Sequence, residues 1–195
     1  MLPLSKLNLG PLAFPSLHGH KYFLTLIDDF TRHTWIFLVK LKSKARTLMH
    51  NFVTFIKSQF GITIKCIRSD NVTEFNDPIL FSTHGIVHQT SCIETPQQKS
   101  IAERKHHHIL NVTSSLLFQA NLPKDFWFYV VAHVVYIINR LPNPTLHKKS
   151  PFETLWHKPA TLLNLKVFGS LCFASTRTTS NQTWPTGSQV HIPWL

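Results

Sequence analysis

Two carboxylates near the middle of the chain sit where metal-assisted chemistry is done. Asp70 ends an apolar, strand-like run, Ile67-Arg68-Ser69-Asp70-Asn71. Glu103 opens a helix-like run after the loop Thr95-Pro96-Gln97-Gln98, with Arg104, Lys105 and three histidines directly behind it. Asp and Glu together number nine in 195 residues, so two of them in such basic surroundings stand out. Phosphoryl transfer on nucleic acid commonly uses two hard cations about 3.5–4 Å apart, one activating the nucleophile and one stabilising the leaving oxygen. Mg²⁺ takes oxygen ligands and few carboxylates. Asp70 at a strand end and Glu103 on a first helical turn have the types for such a site. Lys99, Arg104, Lys105 and His106 to His108 would line its approach and neutralise phosphates.

Plainer readings stand beside this one. Ser100-Ile101-Ala102-Glu103 is also a capping box, in which Glu103 reaches back to its own helix start. Asp70-Asn71 is also an ordinary turn opener. The three histidines occupy consecutive helical positions and so point to different sides. They read as a solvated basic face rather than a ligand set.

The elements that must position these residues follow from pattern. Residues Met1 to Lys21 carry Pro3, Pro11, Pro15, Gly10 and Gly19 and read as an irregular lead-in with at most one short edge strand. Tyr22 to Asp28 and Trp35 to Lys40 are apolar and β-prone, joined by a turn at Asp28, Asp29 and Thr31, and predict an antiparallel hairpin. Leu48, Phe52, Phe55, Ile56 and Phe60 recur at helical spacing up to Gly61. Ile62 to Ile67 predicts a third strand, placing Asp70 at a carboxyl end, where α/β sheets bind ligands. A short helix over Pro78 to His84 and a strand over Ile86 to Thr90 follow. Ser100 to Ala120 predicts a long helix with Ala102, Ile109, Leu116 and Ala120 on one stripe. Pro123 to Arg140 predicts a second, more apolar one, and Pro151 starts a short third. Lys166 to Phe173 is strand-like, and the Ser/Thr/Pro/Gln text after Ser175 reads as a disordered tail. The sum is an α/β fold, a mixed sheet flanked by helices.

The formal charge of +11 makes a polyanion the expected partner, and nucleic acid the default one. Cys66, Cys92 and Cys172 are widely spaced with no C-x-x-C, which argues against a disulfide framework and against a cysteine zinc site. The first twenty residues lack a basic segment followed by an apolar run, so an intracellular location, nucleus or cytoplasm, is expected rather than secretion. Phe126 to Ile138 is apolar but too short to span a bilayer, so no membrane role is expected.

At these residues the chain resembles the integrase core of copia-type LTR retrotransposon Pol polyproteins. The matching phrases are H-G-H-K-Y-F-L-T-L-I-D-D-F-T-R-H-T-W at 18–35, I-R-S-D-N at 67–71, G-I-V-H-Q-T-S-C at 85–92 and T-P-Q-Q at 95–98. They continue with A-E-R-K-H at 102–106, L-L-F-Q-A-N-L-P at 116–123, Y-I-I-N-R-L-P at 136–142 and K-V-F-G-S-L-C-F at 166–173. The resemblance implies an RNase H-like fold and a DDE triad holding two Mg²⁺ or Mn²⁺. It implies insertion of element DNA into host DNA: water trims the 3′ ends, then the 3′ hydroxyls attack target phosphodiesters. Asp70 matches the second catalytic Asp and Glu103 the catalytic Glu, both as metal ligands. DNA is the implied partner, bound as a multimer. Residues 18–142 would be the catalytic core, 1–17 its lead-in, 143–175 a linker and carboxyl-terminal extension, and 176–195 the tail.

The departures from the pattern carry equal weight. The family's first Asp belongs in an Asp-x-Trp-Gly-Pro phrase, and here that text is Leu7-Asn8-Leu9-Gly10-Pro11. Leu7 therefore stands where a carboxylate is expected. Asp28 and Asp29 match a different family position and read as turn residues. The glycine expected after Asp70-Asn71 is Val72, and the Asn-Gly before the catalytic helix is Lys99-Ser100. Two cations held by two carboxylates repel each other and bind weakly. The sequence thus predicts an integrase core with impaired catalysis, against the alternative of a silent nucleic-acid-binding module or a relic.

Overall fold

Strand β1 (Lys6–Pro11) lies in the middle of a five-stranded sheet of order β3-β2-β1-β4-β5. The computed structural model describes residues 6–11, 15–16, 18–69, 73–90, 101–163 and 165–170. The sheet continues with β2 (Tyr22–Ile27), β3 (Thr34–Val39), β4 (Cys66–Ser69) and β5 (Val87–Thr90). Strands β1, β2 and β3 pair antiparallel, and β1 with β4 and β4 with β5 pair parallel. The expected lead-in with an edge strand is corrected: β1 is central, because Leu7 and Leu9 pack into the core on one face while Gly10 admits the close approach of His106 on the other.

Each face of the sheet carries its own core. Leu7, Leu24, Leu26 and Ile67 pack with Ala45, Met49, Phe52, Val53 and Ile56 of α1 (Lys44–Phe60), and with Leu80 and Phe81 of α2 (Pro78–His84). Gly61, at φ 63°, ends α1 in the left-handed conformation that costs glycine nothing. The other face packs Phe23 against Ile109 of α3 (Ile101–Gln119) and against Trp127, Val130, Val131 and Val134 of α4 (Trp127–Arg140). The apolar run at 126–138 is therefore a core helix, and no described helix is long and apolar enough to cross a membrane.

Local chemistry sets the helix ends. The Asp77 carboxylate accepts from the Leu80 N–H at 3.0 Å and caps α2, with Pro78 next. Ser150 and Glu153 form a reciprocal capping box on α5 (Pro151–Trp156). On the outer edge of β3, the Asn139 side chain from α4 stands in for a neighbouring strand. Its Oδ1 accepts from Thr34 N–H at 2.9 Å and its Nδ2 donates to Thr34 C=O at 2.8 Å.

Two expectations are corrected. The ladder of β4 begins at Cys66 rather than Ile62, although Ile64 is buried as the alternation required. The described residues 165–170 are irregular, with a turn at Gly169 lying against Ala120, rather than a strand. The tail at 176–195 lies outside the described residues.

Candidate functional site

Helix α3 reaches the sheet through His106. Its ring stacks on Phe23, with centroids 4.2 Å apart and planes 5° off parallel, and Nδ1 lies 3.0 Å from Thr25 Oγ1. Nε2 faces Gly10 of β1 and has no hydrogen-bond partner among the described residues, and it lies so near that a Cβ on residue 10 would overlap the ring. Only glycine admits this approach of helix to strand. Burial, then the neighbouring His107, lower the His106 imidazole to about 4. His106 is thus neutral at physiological pH, which corrects its place in a solvated basic face. The signal was in the stripe: Ala102, His106, Ile109 and Thr113 fall on one helical side, and the last three are buried.

Glu103 lies one turn before His106 on α3 and is half-buried. Arg104, His107 and His108 are exposed, and Lys105 is half-buried. Burial, then the Arg32 guanidinium, lower the Lys105 ammonium from its usual value. Asp70 and Lys99 lie outside the described residues, as does Ser100 of the expected capping box. The β1–β4 ladder carries the chain to Ser69, the residue before Asp70, and pairs it with Leu7.

Leu7 itself is 2% exposed. It occupies the position of the expected first carboxylate, yet its side chain belongs to the core shared with α1. Among the described residues, no group of three or more His, Cys, Asp or Glu side chains is placed to hold a metal ion. An apolar, buried Leu7 cannot donate to a cation, so the donor set at this position does not fit a two-cation centre.

Asp28 is a turn residue, as the sequence predicts. Fully buried, its carboxylate accepts from Thr31 Oγ1 at 2.6 Å and from Thr31 N–H at 2.9 Å. It organises the β2–β3 turn rather than a reaction.

Comparison with known proteins agrees with this architecture. No protein-family model matches the chain. It is 38% identical over 161 residues, 81% of its length, to the retrovirus-related Pol polyprotein from transposon RE2 of Arabidopsis thaliana. It is 39% identical over 156 residues, 80% of its length, to that from transposon RE1 of the same plant. Over 168 residues, 85% of its length, it is 35% identical to that from transposon TNT 1-94 of Nicotiana tabacum. The chain spans only 11% of the first two and 13% of the third. Among solved structures it shares its fold with a chain of the simian T-cell lymphotropic virus intasome in complex with PP2A regulatory subunit B56 gamma. The TM-score is 0.60 at 18% identity, over 90% of this chain and 59% of that one.

Proposed function

We propose that this chain, an integrase-like member of the copia-type, retrovirus-related Pol polyproteins of transposons, binds DNA but performs strand transfer poorly or not at all. The observation that carries this reading is Leu7. A buried aliphatic side chain stands on the central strand, opposite Ser69, where the resemblance expects a metal-binding carboxylate. The resemblance implies a site of three acids, and Asp70 and Glu103 are the two of them that this sequence retains. Divalent Mg²⁺ or Mn²⁺, when bound by a complete set, would activate the attacking hydroxyl and stabilise the leaving oxygen. In this chain Asp70 and Glu103 alone would hold such ions weakly.

DNA binding rests on the net charge of +11 and on Arg104, Lys105 and His108 along α3, with Lys99 just before it. This binding is sequence-blind, falls steeply with salt and needs no metal. With this reading go an intracellular location, nucleus or cytoplasm, and assembly in several copies on DNA. The test is a strand-transfer assay with Mn²⁺ and pre-trimmed donor ends, run beside a DNA-binding titration. Binding without joining is the expected result, and robust joining refutes the reading.

A further inference from the structure

The β2–β3 turn holds a residue in a conformation its type does not favour. Arg32 has φ 60°, the left-handed region where glycine sits without cost. The turn fixes it there: Arg32 N–H donates to Asp28 C=O at 2.8 Å, and Asp28 N–H donates to His33 C=O at 3.0 Å. Buried Asp28 and Thr31 close the turn from inside. A strained site that keeps a long cationic side chain points to a use for that side chain.

Its surroundings say which use. Asp29 takes Arg32 Nη1 on one carboxylate oxygen at 3.4 Å and Arg68 Nη1 on the other at 3.5 Å. Both contacts are long for charge-assisted bonds. Arg68 Nε donates to Gln89 Oε1 at 2.7 Å, which orients its guanidinium. Arg68 stands on β4, paired in register with Lys6 of β1 and Gln89 of β5, and two residues before Asp70. The Arg68 side chain is 49% exposed and that of Arg32 28%. Two guanidiniums thus share one carboxylate, with Lys105 of α3 near enough to Arg32 for its charge to be felt. The two partly exposed guanidiniums keep spare N–H donors beside the carboxyl end of β4.

We propose that Arg32 and Arg68, splayed on either side of Asp29, form a phosphate subsite that grips one DNA backbone phosphodiester beside the carboxyl end of β4. This rests on the DNA-binding reading above and names where on the sheet the strand is held. Asp29 spaces the two cations in the free protein, and the phosphate takes its place between them in the complex.

The experiment is fluorescence anisotropy of a labelled random-sequence duplex across a sodium chloride series, with thermal melts of every variant. Arg32→Gly removes the guanidinium and relieves the strained φ. It is expected to melt at or above wild type yet to flatten the log–log salt slope by about one unit, as one lost phosphate contact does. Arg68→Ala is expected to flatten it similarly, and Asp29→Asn to tighten binding, because it removes the competing anion. Wild-type affinity and slope in both arginine variants, or Asp29→Asn binding no tighter than wild type, would overturn the subsite. If Arg104→Ala weakens binding while Arg32→Gly and Arg68→Ala do not, the subsite alone falls. A wild-type chain that fails to bind the duplex sinks the DNA-binding reading and the subsite with it.

Discussion

His106 of α3 lies directly on Gly10 of β1, and this contact couples the helix bearing Glu103 to the strand bearing Leu7. The fit leaves no room for a Cβ: one built on Gly10 would come 2.6 Å from His106 Cε1, and nearer still to Nε2. Gly10→Ala should therefore push α3 off the sheet and cost about 1–3 kcal/mol, the usual penalty of overpacking a core. Combining it with His106→Ala removes the clash. In urea unfolding, the double variant should lose less stability than the two single losses added together. Strict additivity would show that the two residues do not touch.

The same histidine makes the fold acid-sensitive. Burial, helped by His107, lowers His106 to about 4; burial, helped by Arg140, lowers His33 to about 4. Unfolded histidine titrates near 6.5, so above that pH both states are neutral and the shift has no effect. As pH falls below it, the unfolded chain takes up protons that the folded chain refuses, and stability drops until the folded value is reached. Each group should cost about 3 kcal/mol by the bottom of that window. Asp77 adds to this at lower pH. Its burial favours the neutral acid, but the Leu80 N–H, His50 and Arg46 outweigh that and hold it below its usual value. Urea midpoints measured between neutral and mildly acidic pH check the sum, and His106→Gln should flatten the dependence. An unchanged slope in that variant would mean His106 is solvated.

Asn139 completes the edge of β3 with two bonds to one residue, Thr34. It is buried, so neither bond is replaced by water when it is lost. Asn139→Ala should cost about 2 kcal/mol, the desolvation of two orphaned backbone groups. Asn139→Asp keeps an acceptor for Thr34 N–H but turns the donor facing Thr34 C=O into a second acceptor. It should be at least as damaging at neutral pH and partly recover as the carboxyl protonates. Thermal melts of both variants across pH distinguish the bonds from mere packing.

What could be read in advance divides along physical lines. The hairpin, α1, α2, α4 and the start of α5 announce themselves because their signals are local: alternation, helical stripes, a proline after a capping residue. The role of β1 is not local. Lys6–Pro11 pairs along its length with β2, but its central place comes from Lys6 and Leu7 pairing with β4, some sixty residues away, and Gly10 and Pro11 look like loop residues until His106 is seen to need the space. His106 is hidden because the basic run around it reads as one solvated face, even though its three histidines point to different sides. A helix turns 100° per residue and gives each its own surroundings. Leu7 was legible as a departure from the family phrase, but only the packing shows it committed to the core.

Leu7 also gives the most direct trial of the proposed function. Leu7→Asp places a carboxylate at a position 2% exposed, among Leu24, Leu26 and Ile67. Without metal, burial favours the neutral acid, and the variant should lose about 3 kcal/mol relative to wild type. If Asp70 and Glu103 complete a cation site with it, Mn²⁺ binds the folded state alone and restores stability by mass action, about 2.7 kcal/mol at a hundredfold excess over the dissociation constant. Melts with and without Mn²⁺ should therefore separate widely for Leu7→Asp and barely for wild type, and strand transfer should emerge only in the metal-loaded variant. A variant whose melting ignores Mn²⁺ would show that the proposed impairment runs deeper than one missing acid.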